Sequence, residues 1–248
     1  EMRNLLKWPS TVGGNLFRAL KTKLGFQIFF KAVFFGLMII FRQALIALMA
    51  YLTRKEIASF PLGYTNSFSV EYRRKFDLPA SSSLVDFALE ALNKQIDSKS
   101  NLDTFFAGQI GNFDRQLMIS EARKVNVRIG KMFKKFAASD NLDNQQNAFT
   151  EYVNGLYENK FALCPPGNYS AESFRYYESI LLWSVPLVEK AIVSDPLSRK
   201  IKTLDWQQFK LQSRNQKLHE IDCKKILNSA LFDFHLSLKN LSTELKIK

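Results

Sequence analysis

The chain has 248 residues, of which 46% are hydrophobic and 23% are charged, and its net charge is +12 at pH 7. This composition excludes an intrinsically disordered protein, and the length suits one large domain or two small ones. Residues 1–55 contain nine Lys or Arg and a single acid, Glu1, so this segment carries +8 of the net charge and the rest of the chain is close to balance.

The N-terminal segment, residues 1–56, is basic and apolar. No carboxylate occurs from Met2 to Lys55, which favours a membrane surface or an organellar targeting segment. Nucleic acid is not expected as a partner, because the basic residues lie beside long apolar runs and not beside exposed aromatics. The chain begins with Glu, so we expect it to be a fragment or a processed product.

Within this segment, residues 24–52 form a long apolar stretch that Lys31 and Arg42 interrupt. The uninterrupted runs fall short of the roughly 20 residues that a membrane span needs. Lys31, Arg42 and Thr53 are eleven residues apart and would share one narrow stripe of a helix. Three interpretations stay open: a helix buried in protein, which we favour, a helix in a membrane interface, and a true span.

From residue 57 onward, short apolar strands alternate with helices. The predicted strands are 104–108, 126–130, 160–165 and 185–188, and the predicted helices are 84–96, 111–124, 145–158 and 173–184. Such alternation is typical of a parallel sheet with crossover helices, so we expect an α/β fold with a Rossmann-like parallel sheet in residues 57–210. A helical tail, 211–248, follows, with its apolar stripe beginning at Ile221.

Metal and triad chemistry are not expected from this chain. Cys164 and Cys223 are the only cysteines and do not have the spacing of a zinc site, and their number favours a reducing compartment. His219 and His235 are the only histidines, and both lie in the tail. Because both histidines lie in the tail, we do not expect a histidine metal cluster or a Ser-His-Asp triad.

The stretch FALCPPGNYSAESFRYYE, residues 161–178, is the most informative in the sequence. It predicts a strand, a Pro-Gly loop and a helix, and ligands of open parallel sheets lie beyond the carboxyl ends of strands. Ser173 can cap the helix, Arg175 can pair with a phosphate oxygen, and Glu178, one turn later, can accept hydrogen bonds from sugar hydroxyls. On spacing alone, an Arg–Glu pair that only supports a surface helix is an equally good interpretation.

Residues 161–188 also resemble the nucleotide-sugar-binding motif of exostosin-type glycosyltransferases. The motif residues are Cys164, Pro165, Gly167, Arg175, Glu178 and Pro186. Three weaker likenesses occur elsewhere: FPLGY (60–64) resembles a segment at the join of the two domains, FFAGQIGNFDRQLM (105–118) is similar to the opening of the donor domain, and Asp205-Trp206 resembles a downstream motif.

This resemblance implies the C-terminal, donor-binding half of a GT-B fold in residues 57–210. It implies transfer of a sugar from a nucleotide-diphosphate donor to a glycan or glycoconjugate, with no cofactor and no metal, and the chain has no Asp-x-Asp motif. The residues expected to bind the donor are Arg175, Glu178, Arg115, Gly167, Ser173 and Gly108. By the same likeness Arg115 would contact the diphosphate, and no catalytic base is assigned.

The chain also departs from the family pattern. Trp183 stands where a small residue, usually Gly, is expected, which predicts a remodelled pocket wall, and Pro166 replaces a residue that is commonly basic. The segment before FPLGY is too short for the acceptor domain of a GT-B enzyme. The alternatives are a catalytically inactive remnant that acts as a membrane-proximal interaction protein, and a basic binder of nucleic acid or anionic lipid. A cytoplasmic or membrane-associated location is favoured, with the Golgi lumen open if an upstream segment is missing.

Overall fold

The computed structural model describes residues 64–99, 103–108, 113–125, 127–129, 142–165, 173–188 and 203–246, together with the single positions Leu37, Phe41 and Leu45. Several predictions lie outside these residues. They are the donor-binding residue Gly167, the departure at Pro166, the FPLGY likeness at residues 60–63 and most of the apolar stretch 24–52.

Seven α-helices and five strands are formed within the described residues. The helices are α1 (Asn66–Phe76), α2 (Leu84–Ser98), α3 (Phe113–Ala122), α4 (Leu142–Glu158), α5 (Phe174–Leu181), α6 (Trp206–Arg214) and α7 (Cys223–Lys246). The strands are β1 (Thr104–Phe106), β2 (Val127–Ile129), β3 (Phe161–Leu163), β4 (Val185–Val188) and β5 (Leu204–Asp205). The predicted alternation of strands and helices is confirmed, and α1, α6 and β5 are additional elements.

All five strands pair in parallel in one sheet, with the order β2-β1-β3-β4-β5. The predicted α/β fold with a parallel sheet is therefore confirmed. The chain adds β2 on one side of β1 and then returns to add β3, β4 and β5 on the other side. The strand order therefore reverses at β1, which is the switch point of the sheet. In doubly wound sheets with this order, the crevice outside the carboxyl ends of β1 and β3 is where a ligand binds.

The three central strands of the sheet are buried in the protein, as runs of apolar residues in parallel strands require. Every residue of β1, β3 and β4 is buried. Helix α4 approaches β1 closely at Gly155, where an added Cβ atom would overlap the ring of Phe105. Helix α7 packs along α2 and also contacts α5 and β4. Its packing agrees with the apolar stripe predicted for the tail.

Lys99, just after α2, is a buried cation that joins the ends of two helices. Its Nζ donates to the carbonyl oxygens of Leu156 (3.1 Å) and Asn159 (3.0 Å) at the end of α4, and of Leu182 (2.7 Å) after α5. The Oγ of Ser184 is a fourth acceptor, at 3.2 Å. These carbonyls lie at helix C-termini, where the backbone dipole favours a positive charge. Burial lowers the pKa of Lys99 well below its usual value of 10.5.

The N-terminal segment is described only at Leu37, Phe41 and Leu45, and all three positions are helical. Their side chains are 59%, 67% and 48% exposed. These positions therefore lack the burial that the favoured interpretation of residues 24–52 expected. No helix in the described part of the chain is long and apolar enough to cross a membrane.

Candidate functional site

Gly108 and Arg175 meet at the switch point of the sheet. Gly108 follows β1 and has φ +147°, a conformation that favours glycine. The Nη2 of Arg175 donates a hydrogen bond to the carbonyl oxygen of Ala107 at 2.7 Å. A Cβ atom added at Gly108 would overlap Nη2 and lie 3.1 Å from Cζ of Arg175. A residue without a side chain is needed here, because the guanidinium lies directly on the end of the strand.

Aromatic rings hold the rest of the Arg175 guanidinium. Its Cζ lies 4.7 Å from the ring centroid of Phe106 and 5.9 Å from that of Tyr152, within the range of cation–π attraction. The Nε atom is buried and has no hydrogen-bond partner within the described residues. A buried N–H donor without an acceptor is unfavourable, so an anion at this edge would gain a ready donor.

Arg115, in the first turn of α3, brings a second positive charge to the same edge. Burial and, after it, the nearby positive charge of Arg175 together lower the pKa of Arg115 to about 10. Two guanidinium groups close enough to perturb each other repel, and an anion between them would relieve that repulsion. The structure thus brings together three of the predicted residues, Gly108, Arg115 and Arg175.

Glu178 is placed differently from Arg175, although both lie on α5. Its Oε1 accepts hydrogen bonds from the backbone N–H (3.1 Å) and the Oγ1 (2.8 Å) of Thr65, and its Oε2 accepts one from the hydroxyl of Tyr152 (2.7 Å). The residue is only 4% exposed. The carboxylate therefore ties the start of α1 and the middle of α4 to α5. Its predicted contact with sugar hydroxyls stays a prediction.

Tyr152 and Thr65 are members of this cluster that sequence reasoning missed. Burial, followed by the negative charge of Glu178, raises the pKa of the Tyr152 hydroxyl well above 10. The phenol therefore stays a hydrogen-bond donor to the carboxylate. Neither residue carries a motif in the sequence, and only the folded arrangement of α1 and α4 against α5 brings them to Glu178.

Ser173 occupies the predicted N-cap position of α5, with extended dihedrals of φ −133° and ψ 149°. Its side chain makes no capping hydrogen bond, which differs from the prediction. The residue is 7% exposed, and its Oγ is buried with no hydrogen-bond partner among the described residues. The hydroxyl and the helix N-terminus are thus two groups that could donate to a phosphate.

Trp183 does not line the switch-point crevice, so the prediction of a remodelled pocket wall is wrong. The backbone N–H groups of Trp183 and Ser184 bond to the carbonyls of Ile180 (3.1 Å) and Ser179 (2.9 Å), which forms a Schellman C-cap. Trp183 is the left-handed residue of that cap, with φ +56°. Its side chain is fully buried, and its Nε1 donates to the carbonyl of Ala88 in α2 at 2.8 Å.

Trp206 of the Asp205-Trp206 pair is also a structural residue. Trp206 is fully buried, and its Nε1 donates to Oε2 of Glu121 on α3 at 3.0 Å. The Nζ of Lys210 donates to the same oxygen at 2.5 Å. These contacts fasten α6 to α3, which also carries Arg115.

Cys164, the residue after β3, is a core thiol. Burial raises its pKa to about 12, despite the opposing positive charge of Arg175. Its Sγ lies 3.5 Å from the carbonyl oxygen of Ala162 and 3.7 Å from Oγ of Ser179. A protonated, buried thiol is a poor nucleophile, so Cys164 packs the site and does not react in it.

The chain was compared with known proteins of three kinds. No protein-family model, curated protein or solved structure matches it. Function must therefore be inferred from the site itself, and its chemistry is that of anion binding: two guanidinium groups, a buried hydroxyl and a helix N-terminus. No group of three His, Cys, Asp or Glu that could hold a metal ion occurs in the described residues.

Proposed function

We propose that the chain binds the diphosphate group of a nucleotide sugar at the carboxyl ends of β1 and β3. The observation that carries the proposal is the pair of guanidinium groups, Arg115 and Arg175, placed where the strand order reverses. In open parallel sheets this crevice is the general ligand site. The charge, the buried donors and the position all favour the same kind of ligand, a phosphorylated one.

The chain would then be the donor-binding half of a GT-B-type glycosyltransferase. The order 2-1-3-4-5 is that of flavodoxin-like doubly wound sheets, which share with Rossmann sheets a ligand crevice at the switch point. The proposal of a GT-B half therefore depends on the likeness of residues 161–188 to the exostosin-type motif and not on the strand order. The reaction proposed is transfer of a sugar from a nucleotide diphosphate to a glycan or glycoconjugate.

Arg115 and Arg175 would act on the leaving group. As the bond between sugar and diphosphate breaks, negative charge grows on the diphosphate, and preorganised guanidinium groups stabilise that charge in the role that a metal ion has in other enzymes. Gly108 keeps the strand end open for Arg175. Ser173 and the first N–H groups of α5 would donate to a phosphate oxygen.

Glu178 would act mainly as a positioning residue for this helix. A carboxylate has about four acceptor positions, and Thr65 and Tyr152 use three of them. A sugar hydroxyl could take the remaining position, but Glu178 already serves the fold. Its first consequence for the site is to fix the orientation of α5, and hence of Arg175 one turn earlier.

Calorimetric titration of the full chain with sodium diphosphate, UDP and GDP tests the proposal. We expect binding to the chain, with at least about a tenfold loss of affinity in Arg175→Ala and in Arg115→Ala, since a charge-assisted hydrogen bond contributes about 1.5–3 kcal/mol. Arg214→Ala, at an exposed arginine on α6, is the control and should bind as the parent chain does. Unchanged affinity in both site variants would contradict the proposal.

A second candidate function is a catalytically inactive relative that serves as a membrane-proximal interaction protein. The observation that favours it is that motif residues already serve the fold: Arg175 bonds to Ala107 and Glu178 to Thr65 and Tyr152. The same titration separates the two candidates. A folded chain that binds neither nucleoside diphosphates nor sodium diphosphate supports the inactive relative.

A further inference from the structure

Tyr152 on α4 contacts both charged residues of the Arg-x-x-Glu motif. Its hydroxyl donates to Oε2 of Glu178 at 2.7 Å, and its ring centroid lies 5.9 Å from Cζ of Arg175. The side chain is buried, with 5% of its surface exposed. Burial raises the pKa of this hydroxyl most, the negative charge of Glu178 raises it further, and the positive charge of Arg175 lowers it. The phenol is therefore close enough to both charges to influence how they interact.

A basic and an acidic residue three positions apart pair with each other elsewhere in this chain. On α1, Nη2 of Arg74 bonds to Oε1 of Glu71 at 2.7 Å, since side chains at this spacing are neighbours on a helix surface. Arg175 and Glu178 have the same spacing on α5, yet the guanidinium bonds to the end of β1 and the carboxylate to α1 and α4. The Nε of Arg175 has no hydrogen-bond partner within the described residues. The fold thus directs this carboxylate away from an arginine that still has a donor to offer.

The two oxygens of the Glu178 carboxylate have different partners. Oε1 accepts from the backbone N–H and the hydroxyl of Thr65, and Oε2 accepts from the hydroxyl of Tyr152. A phenol is a neutral donor, so it satisfies Oε2 without adding a charge. Without that hydroxyl, Oε2 would be a buried acceptor that attracts the nearest cationic donor. That donor is Arg175, and a guanidinium paired with a carboxylate attracts a phosphate less strongly.

We propose that Tyr152 is a positioning residue of the anion site, which holds the carboxylate of Glu178 away from Arg175 and so keeps the guanidinium available for a phosphorylated ligand. This inference rests on the proposed function, because an available guanidinium has a use only if the site binds an anion. A tyrosine with a merely structural role would join α4 to α5 without affecting which partner Arg175 takes.

Calorimetric titration of full-chain variants with sodium diphosphate tests the proposal. Tyr152→Phe keeps the ring and removes only the hydroxyl, and we expect it to weaken binding at least about tenfold, because Oε2 then pairs with Arg175. The double variant Tyr152→Phe/Glu178→Gln has no charge at position 178, so its affinity should recover at least about threefold over that of Tyr152→Phe. If Tyr152 only fixed the position of α5, the second substitution would weaken binding further. Parent affinity in Tyr152→Phe, or a double variant that binds no better than Tyr152→Phe, would overturn the proposal.

Tyr157, also on α4, provides a matched control. Its hydroxyl donates to the neutral Oε1 of Gln95 on α2 at 2.9 Å, so Tyr157→Phe removes a comparable hydrogen bond between helices. This variant should bind diphosphate as the parent chain does, and an equal loss in it would refute a specific role for Tyr152. A parent chain that binds no diphosphate would refute the proposed function and this inference together. A parent chain that binds, with unchanged affinity in Tyr152→Phe, would refute this inference alone.

Urea unfolding provides a second readout that needs no ligand. A double-mutant cycle of Arg175→Met and Glu178→Gln measures the coupling between the two charges, once in the parent chain and once in Tyr152→Phe. Expressed as a factor in the unfolding equilibrium constant, the coupling should be at least about fivefold larger in Tyr152→Phe, because the two side chains pair only there. Equal coupling in both backgrounds would contradict the proposal that Tyr152 separates them.

Discussion

Replacement of Trp183 by Gly and by Ala tests the left-handed cap at the end of α5. Trp183 has φ +56° and is the residue of the Schellman cap that is usually glycine. For a residue with a Cβ atom, this conformation is unfavourable by about 1–2 kcal/mol. The structure therefore predicts an unusual ranking, in which glycine is better tolerated than alanine.

The magnitudes follow from burial and backbone strain. Trp183 is fully buried, and its ring packs edge-on against Phe76 at 5.5 Å between centroids. Loss of such a side chain costs about 3–5 kcal/mol, so Trp183→Ala should lower the free energy of unfolding by that amount. Trp183→Gly loses the same contacts and also relieves strain, and we expect it to be about 1 kcal/mol more stable than Trp183→Ala.

Urea unfolding followed by far-ultraviolet circular dichroism measures both variants. Ile180, fully buried one turn earlier in α5, is the control position, because its backbone is helical. There Ile180→Ala should be more stable than Ile180→Gly by about 0.5–1 kcal/mol. The reasoning is refuted if alanine is at least as stable as glycine at position 183 while the control ranking holds.

Three further predictions use other parts of the structure. Gly108→Ala should weaken diphosphate binding by about tenfold or more in calorimetry, because the added Cβ displaces the guanidinium of Arg175 and removes a charge-assisted contact; affinity equal to that of the parent chain would contradict the site. Lys99→Met should lower the free energy of unfolding by about 3–5 kcal/mol in urea, because buried carbonyls lose their donor. Lys94→Met, at an exposed position of α2, should have little effect. Burial raises the pKa of Cys164 from 9.0 to about 12, so above pH 9 the thiol is ionised in the unfolded chain and still protonated in the folded one. Each further rise of one pH unit then lowers the free energy of unfolding by about 1.4 kcal/mol through this thiol. Stability measured from pH 8 to pH 10.5 should therefore fall less steeply in Cys164→Ala, and an equal slope would contradict the burial of the thiol.

Much of the fold could be predicted because local periodicity determines it. Short apolar runs and amphipathic helices alternate along the chain, and the structure has strands and helices at those places. Strand order could not be predicted, because pairing joins residues far apart in sequence. Phe161 of β3, for example, pairs with Thr104 of β1, while β2 lies between them in the chain.

Helix α1 was missed although its sequence carries a signal. Its apolar residues Phe68, Tyr72 and Phe76 recur every four positions, and their rings contact one another in sequence. Thr65 caps the helix by accepting a hydrogen bond from the N–H of Phe68 at 3.3 Å. The basic run at Arg73 and its neighbours lowers the average hydropathy of the segment, which conceals the apolar face.

The candidate site could be predicted only in part from the sequence. Gly108 and Arg175 were expected in one site from two separate likenesses, and the adjacency of β1 and β3 brings them into contact. The Schellman geometry at Trp183 could not be read from a position that carries tryptophan, since glycine is the usual signal for a left-handed cap. Local rules fail there because tertiary packing of the indole outweighs the backbone strain.

The spacing of Arg175 and Glu178 shows why a motif alone does not determine the role of a residue. Residues three apart on a helix are rotated by about 60° from each other. That rotation is enough to direct the guanidinium of Arg175 to the end of β1 and the carboxylate of Glu178 to Thr65 and Tyr152. The same spacing thus places one residue at the proposed ligand site and the other in helix packing. Because Glu178 fixes the helix that carries Arg175, loss of its carboxylate would disturb the proposed anion site even if no ligand contacts Glu178 itself.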